Sequence, residues 1–243
     1  MKTSLSKIYL YLGIFAIAMG LLETAVVVYL RELCFPEGFD FPLKPIGRNL
    51  AAVELWREVA TIVMLIGVGY LAGHNKNTRF GWFLYAFALW DIFYYVFLKL
   101  FLGWPASVAT WDVLFLIPVI WVGPVWAPVL LSLIMIGFTV VLNQMNRQYN
   151  VAIGRLNWLL LIVGSVVCIV SFCVDYVQFS AAVIPDFVWT DLFDISKNMG
   201  LKYVPHSFPY WIFLSGLAFI ISGIGRYYWQ NRRDTMLRIT QLF

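Results

Sequence analysis

Six ionisable side chains fall inside stretches of the chain that are apolar enough to lie in a lipid bilayer: Glu23, Glu54, Arg57, Glu58, Asp91 and Asp175. A charge at the bilayer centre costs roughly 2.5–3.5 kcal/mol on insertion scales, so such residues usually face the protein interior and mark a site or an ion pathway. Even with Glu54 set aside, four acids accompany one arginine. This surplus of negative charge indicates bound protons, a bound cation or a cationic intermediate.

The depth of these acids predicts where they meet. With a rise of about 1.5 Å per residue, Glu23 and Glu58 lie about 10 Å below the outer membrane boundary, Asp91 about 16 Å and Asp175 about 6 Å. We therefore expect the acids to converge on one pocket that opens to the outside.

The helix faces agree with this expectation. Glu54, Arg57, Glu58 and Thr61 follow the i, i+3, i+4, i+7 spacing of a single helix face. Glu23 shares its face with small residues that let helices approach closely, and Asp175 continues a second stripe of small and polar residues. The two stripes are Gly13, Ala16 and Gly20, and Gly164, Cys168 and Ser171.

Composition gives the class of protein. Apolar residues make up 62% of the 243 residues, charged residues 12%, and the mean hydropathy is +0.81, whereas a soluble domain is about 25% charged. The chain is predicted to be one transmembrane domain, residues 1–243. Most basic residues lie at helix ends, so the net charge of +4 indicates contact with lipid headgroups, and no nucleic-acid partner is predicted.

The apolar windows predict an all-α bundle of about six transmembrane helices. The first window is too long for a signal peptide and contains Glu23, so we expect it to be retained. The membrane side that holds both termini and the two short loops carries ten basic residues, and the other side carries six. This bias favours both termini in the cytoplasm, and we expect the cytoplasmic (inner) membrane of a prokaryote. The predicted spans are residues 8–30, 51–72, 81–102, 124–142, 156–179 and 208–228.

Two outer loops carry further expectations. Loop 103–123 has one charge, three tryptophans and several Pro and Gly residues, which favours a re-entrant or interfacial segment. In loop 180–207, residues 188–199 could form a surface helix.

No metal and no cofactor are predicted. The three cysteines form no disulfide framework or CxxC pair. His74 and His206 fall at opposite membrane ends, and no His-Cys cluster suits zinc or iron. No nucleotide-binding or nucleophile motif occurs in a suitable context.

A purely structural reading of the charged residues stays open beside the functional one. Arg57 could neutralise Glu54 or Glu58 and tie helices together, and Glu54 could lie at the headgroups. Asp175 could hydrogen-bond a neighbouring helix.

Three short pieces, in this order, resemble the emopamil-binding, sterol-isomerase-like (EXPERA) membrane proteins. They are Gly20-Leu-Leu-Glu23, Arg57-Glu58-Val-Ala-Thr61 and Trp90-Asp91-Ile-Phe-Tyr94-Tyr95, within residues 10–100. The resemblance implies that Glu58 and Asp91 protonate a lipid double bond and stabilise a carbocation. That family usually has fewer spans, and its histidine before the second-helix Glu and its Asn-Trp pattern in the fourth helix have no clear counterpart here.

The leading hypothesis is an intramembrane carboxylate pocket that binds a proton, a cation or a small amphiphilic ligand, in transport or within a larger membrane complex. Glu58 and Asp91 would carry the binding. The alternative is a membrane-embedded, isomerase-like enzyme that acts on a lipid, isoprenoid or quinone by proton transfer from a carboxylic acid. A third hypothesis is a structural or assembly subunit whose acids bind the helices of partner membrane subunits.

Overall fold

The computed structural model describes residues 4–44, 47–117, 119–149, 152–184, 188 and 202–240. Six helices occur in these ranges, and five of them are long and apolar enough to cross a bilayer. The chain is therefore a multi-pass membrane protein. The second helix, which carries Glu54, Arg57 and Glu58, is not among the five, so its crossing stays a prediction. The helices are α1 (Leu5–Cys34), α2 (Arg48–Ala72), α3 (Lys76–Leu102), α4 (Trp126–Tyr149), α5 (Arg155–Val183) and α6 (Tyr210–Thr240).

Helix α3 lies at the centre of the first four helices, because α1, α2 and α4 all pack on it. The predicted small face of α1 is buried against α3. A Cβ on Gly20 would lie 3.0 Å from the carbonyl oxygen of Trp90 and 3.2 Å from the backbone nitrogen of Tyr94. The absence of a side chain at Gly20 thus lets the two backbones come into contact beside the predicted acids.

The local sequence sets both ends of α3. The Asn75 side chain accepts a hydrogen bond from the backbone N–H of Thr78, and the Thr78 side chain bonds back, as in a capping box. Gly103 ends the helix with φ of +67°, a left-handed conformation that glycine adopts without steric cost. The Lys99 ammonium donates to the carbonyl oxygens of Gly103 and Pro105, each at 2.8 Å.

Helices α5 and α6 form a separate close pair. A Cβ on Gly164 would lie 2.7 Å from the Gly216 carbonyl oxygen, and a Cβ on Gly216 would lie 2.8 Å from the Gly164 carbonyl oxygen. The predicted small stripe of α5 is therefore the surface on which α6 packs. Helix α4 touches α6 over a shorter stretch, so the α3–α4 pair and the α5–α6 pair are partly separated.

The all-α prediction is wrong for the segment between α3 and α4. This segment contains strands β1 (Trp111–Phe115) and β2 (Trp121–Pro124), which form an antiparallel hairpin. Aromatic and β-branched residues make up three of the five residues of β1 and two of the four of β2, and these side chains favour extended backbone. The register shifts between Val113 and Phe115, so Leu114 has no partner across the hairpin.

The tip of the hairpin is buried in the helix bundle. Leu116, Val119 and Ile120 are 7%, 7% and 0% exposed, and they pack with Tyr176 of α5 and with Tyr203. The segment predicted to be re-entrant or interfacial therefore inserts between helices. The surface helix predicted at residues 188–199 lies, apart from Val188, outside the described residues.

Candidate functional site

Two internal cavities meet at Asp91. The larger has a volume of about 410 Å³ and lies between the α3–α4 pair and the α5–α6 pair. It is lined almost entirely by apolar and aromatic side chains. The acidic and hydroxyl residues of the lining are Asp91, Ser132 and Ser165, and its sulfur-bearing residues are Met135 and Cys168. A volume of about 300–1,000 Å³ is typical of small-molecule sites.

The smaller cavity has a volume of about 80 Å³ and is polar. At about 30 Å³ per molecule, it has room for two or three waters. Both cavities are bordered by Trp90 and Asp91 of α3 and by Leu114 and Phe115 of the hairpin. The other polar residues that line the smaller cavity are Glu23, Arg57, Glu58, Thr61, Tyr94 and Tyr95.

Arg57 forms ion pairs with two of the predicted acids. Its Nε donates to Glu54 Oε2 at 2.8 Å, and its terminal nitrogen donates to Glu23 Oε1 in a close contact. The side chains of Glu23 and Glu54 are only 13% and 7% exposed. The guanidinium thus joins α1 to α2, and both neighbouring carboxylates depend on it.

Glu58 binds the hairpin. Both of its carboxylate oxygens lie 3.1 Å from the backbone nitrogen of Leu116, which donates to them. Leu116 follows the last residue of β1, where the ladder of the hairpin ends. The carboxylate therefore accepts a buried peptide N–H just beyond the ladder, and it fixes this end of β1 to α2.

Asp91 has a neutral partner. Ser132 of α4 is fully buried, and its hydroxyl donates to Asp91 Oδ2 at 2.9 Å. Within the described part of the chain, neither Asp91 nor Glu58 forms an ion pair. These two carboxyl groups carry the unbalanced part of the predicted negative charge.

The structure does not bring Asp175 to this place. Its carboxylate accepts hydrogen bonds from the Tyr203 hydroxyl at 2.6 Å and from the backbone N–H groups of His206 and Ser207 at 3.2 and 3.3 Å. Asp175 therefore anchors the segment that leads into α6. Glu23, Arg57, Glu58 and Asp91 line the small polar cavity, with Glu54 attached through Arg57.

A buried ion pair joins the last turn of α1 to the hairpin. Arg31 donates to Asp112 Oδ1 at 3.4 Å, and its guanidinium lies 3.8 Å from the ring centre of Trp104 and 4.3 Å from that of Phe39. Asp112 is 2% exposed. Burial raises the pKa of Asp112 from 3.8 to about 6, although Arg31 acts in the opposite direction.

This pKa predicts how stability depends on pH. Because the folded state binds the Asp112 proton more tightly than the unfolded state, the contribution is fully present below pH 3.8 and is lost as the pH rises through about 6. The difference between the two pKa values corresponds to a change of about 3 kcal/mol in the unfolding free energy. We expect this pH dependence of the unfolding free energy to disappear in Asp112→Asn. Thermal and denaturant unfolding across this pH range would measure it.

The exposed Glu37→Gln is the control for that measurement and should keep the wild-type pH dependence. If Asp112→Asn keeps it as well, Asp112 does not carry the effect.

Several functional features were not predicted. Phe80, Phe83, Phe87 and Trp90 form an aromatic stripe on α3 that leads to Asp91 and lines the larger cavity. Its helical spacing is visible in the sequence, as is the hydroxyl of Ser132 in the apolar first half of α4. The Arg31–Asp112 ion pair and the contact between Leu116 and Glu58 both depend on the hairpin, which was not predicted.

The described residues contain no group of three or more His, Cys, Asp or Glu side chains that could hold a metal ion. Cys168 faces the larger cavity and is 2% exposed. The functional groups that the described residues bring to the two cavities are carboxyl, hydroxyl, guanidinium and thiol groups.

No family model, curated protein or solved structure matches this chain, so the similarity of residues 10–100 to the EXPERA proteins stays a prediction.

Proposed function

We propose that this protein binds a small amphiphilic molecule within the membrane. The apolar part of the ligand occupies the 410 Å³ cavity, and its polar end reaches Asp91. The observation that carries this proposal is the position of Asp91. Among the described residues it is the one carboxylate in the apolar lining, and it also borders the small polar cavity. Apolar pockets with a few placed polar groups are typical of small-molecule sites.

The balance between apolar and polar lining supports one of the predicted functions. A site that bound only a proton or a small cation would need no apolar cavity of this size. Among the described residues the partner of Asp91 is neutral, the hydroxyl of Ser132 at 2.9 Å, so the charge of this carboxylate is left for a ligand to meet. The ligand-binding form of the leading hypothesis accounts for both observations.

Native ligand can be sought without detergent. The wild-type protein would be extracted from its membrane with a lipid-solubilising copolymer, and the bound small molecules would be identified by mass spectrometry. We expect one species that is enriched over bulk lipid in the wild type and depleted at least tenfold in Leu131→Trp, which fills the cavity. Leu133→Trp, on the exposed face of the same helix at 55% exposure, should retain it.

An equal set of molecules in the wild type and in Leu131→Trp would contradict the proposal. Met135→Trp provides a second cavity-filling variant, should Leu131→Trp fail to fold.

A second candidate function is proton transfer to a bound isoprenoid or other unsaturated lipid. The observation that favours it is that Glu58 and Asp91 border one 80 Å³ cavity with room for water. One carboxylic acid would protonate a double-bond carbon, and a carboxylate would remove a proton from a neighbouring carbon, so the double bond moves and the proton count is unchanged. This reaction would also agree with the resemblance noted in the sequence.

Deuterium would detect this reaction. Membranes that contain the protein would be incubated in heavy water, and we expect carbon-bound deuterium in one lipid only with active protein. Glu58→Gln and Asp91→Asn should each abolish the incorporation. Incorporation that is equal in both variants and in the wild type would contradict an enzymatic role for these carboxyl groups.

The proposed orientation has both termini in the cytoplasm of a prokaryote, with α2 as a sixth span. It is supported by the ten basic residues predicted on the cytoplasmic side against six on the other. In this orientation the hairpin enters the bundle from the outer side. Reporter fusions after residues 75 and 106 would test it, since the first should report the cytoplasm and the second the outside.

A further inference from the structure

We infer that the ligand is a single-chain cationic amphiphile, a molecule with one extended hydrocarbon chain and a protonated amine at one end, which enters from the bilayer between α3 and α5. The inference rests on the proposed ligand-binding function and names the class of molecule.

The cavity is long. Its lining on α3 runs from Phe80 to Asp91, and its lining on α5 runs from Leu161 to Phe172. Each stripe covers eleven residue steps, or about 16 Å of helix. The lining on α4, from Pro128 to Phe138, covers about 15 Å. The cavity therefore extends along the helices and has Asp91 at one end of its α3 lining.

The cavity is also narrow. With carbon–carbon bonds of about 1.5 Å and a rise of about 1.3 Å per carbon, a length of about 16 Å holds about 12 carbons in an extended chain. The cavity volume of about 410 Å³ lies near the lower end of the range of about 300–1,000 Å³ that is typical of small-molecule sites. A cavity of this length and modest volume favours one chain over a two-chain lipid or a bulky ring system.

The charge at the Asp91 end favours a cation. Arg57 is committed to Glu23 and Glu54, whereas Glu58 and Asp91 accept only from a peptide N–H and a hydroxyl. A ligand that brings one positive charge reduces the cost of keeping these carboxylates away from water. An anionic head would instead place a negative charge beside two carboxyl groups that no cation balances.

A lateral opening leads to this cavity. Helices α3 and α5 both line it, yet in the described part of the chain they have no extensive packed interface. Ser165 of α5 is exposed while it borders the cavity, and the adjacent Ile162 and Val166 are 56% and 51% exposed. Ser165 lies about 15 Å along α5 from its start, close to the middle of a hydrocarbon core of about 30 Å. The opening therefore faces lipid.

A chain-length series tests the inference. The full-length protein in nanodiscs of zwitterionic phospholipid would be titrated with octylamine, decylamine, dodecylamine, tetradecylamine and hexadecylamine, and the signal of empty nanodiscs would be subtracted. Each added methylene should improve affinity about fourfold, from about 0.8 kcal/mol per buried CH₂. The gain should stop near dodecylamine, although partition into empty nanodiscs continues to rise.

Two kinds of variant identify the site. Leu131→Trp should weaken the binding of dodecylamine at least tenfold, and the lipid-facing Leu133→Trp should leave it unchanged. Asp91→Asn should remove the preference for dodecylamine over dodecanol. Unfolding temperatures close to that of the wild type would show that the variants are folded, and Met135→Trp replaces Leu131→Trp if that variant is not.

The outcomes separate the inference from the proposed function. If a compact amine such as adamantylamine binds as tightly as dodecylamine, and Asp91→Asn weakens both, the proposed function stands and the single-chain assignment is overturned. If dodecanol binds as well as dodecylamine, the cationic assignment is overturned. If nothing binds saturably above empty nanodiscs, the proposed function itself fails.

Discussion

Replacement of Arg57 by methionine is expected to destabilise the protein by about 3–5 kcal/mol, because it leaves two nearly buried carboxylates without their cation. Glu54 and Glu23 are only 7% and 13% exposed and meet at the same guanidinium. Methionine keeps most of the apolar stem, so the loss reports charge rather than packing. Unfolding of the purified protein in mixed micelles by increasing amounts of sodium dodecyl sulfate would measure the change.

Two comparisons make this prediction specific. The exposed Arg226→Met, on α6, should change the unfolding free energy by less than about 0.5 kcal/mol, as surface substitutions usually do. The triple variant of Arg57→Met with Glu23→Gln and Glu54→Gln should recover much of the loss, because removing a whole buried charge set is far less costly than removing one member. A triple variant as unstable as Arg57→Met alone would mean that Arg57 acts through packing.

The predicted inward position of the acids followed from one physical cost. A carboxylate in hydrocarbon is expensive, so Glu23, Glu58 and Asp91 had to face protein, and helix rise placed them at nearby depths. The same argument did not work for Asp175. Depth along a helix does not determine the direction in which a side chain points around the bundle, and Asp175 faces the segment before α6.

The hairpin could not be predicted in the same way. Strands of five and four residues carry too short a pattern to stand out in an apolar segment, and their stability comes from burial between helices. The larger cavity could not be predicted from the sequence either. Its walls come from two helix pairs that are distant in the chain, and its volume depends on how far apart those pairs stay.

The hairpin explains why the site needs more than helices. Leu114 and Phe115 border both cavities, and the adjacent Leu116 N–H binds Glu58. The register shift at Leu114 is the kind of irregularity that turns a side chain out of the regular alternation. Sequence segments that lie outside the spans therefore complete the polar end of the site, where the proposed ligand head is held.

Gly216→Ala is expected to destabilise the protein by about 1–3 kcal/mol or more, by forcing α5 and α6 apart. A methyl group there would lie 2.6 Å from Cys168 Sγ and 2.8 Å from the Gly164 carbonyl oxygen. The backbone oxygen cannot rotate away as a flexible side chain would. Because Cys168 also borders the larger cavity, ligand binding should weaken together with the unfolding free energy.

Gly225→Ala on the same helix is the matched control. Apart from the adjacent backbone of α6, no heavy atom of the described residues lies within 4 Å of the position of its added Cβ. Alanine is the better helix former by about 1 kcal/mol, so this variant should be as stable as the wild type or more so. If the unfolding free energy falls in Gly216→Ala and stays equal or rises in Gly225→Ala, contact between the helices, rather than helix propensity, makes Gly216 necessary. If both variants change the unfolding free energy equally, Gly164 and Gly216 do not approach each other as closely as the structure places them.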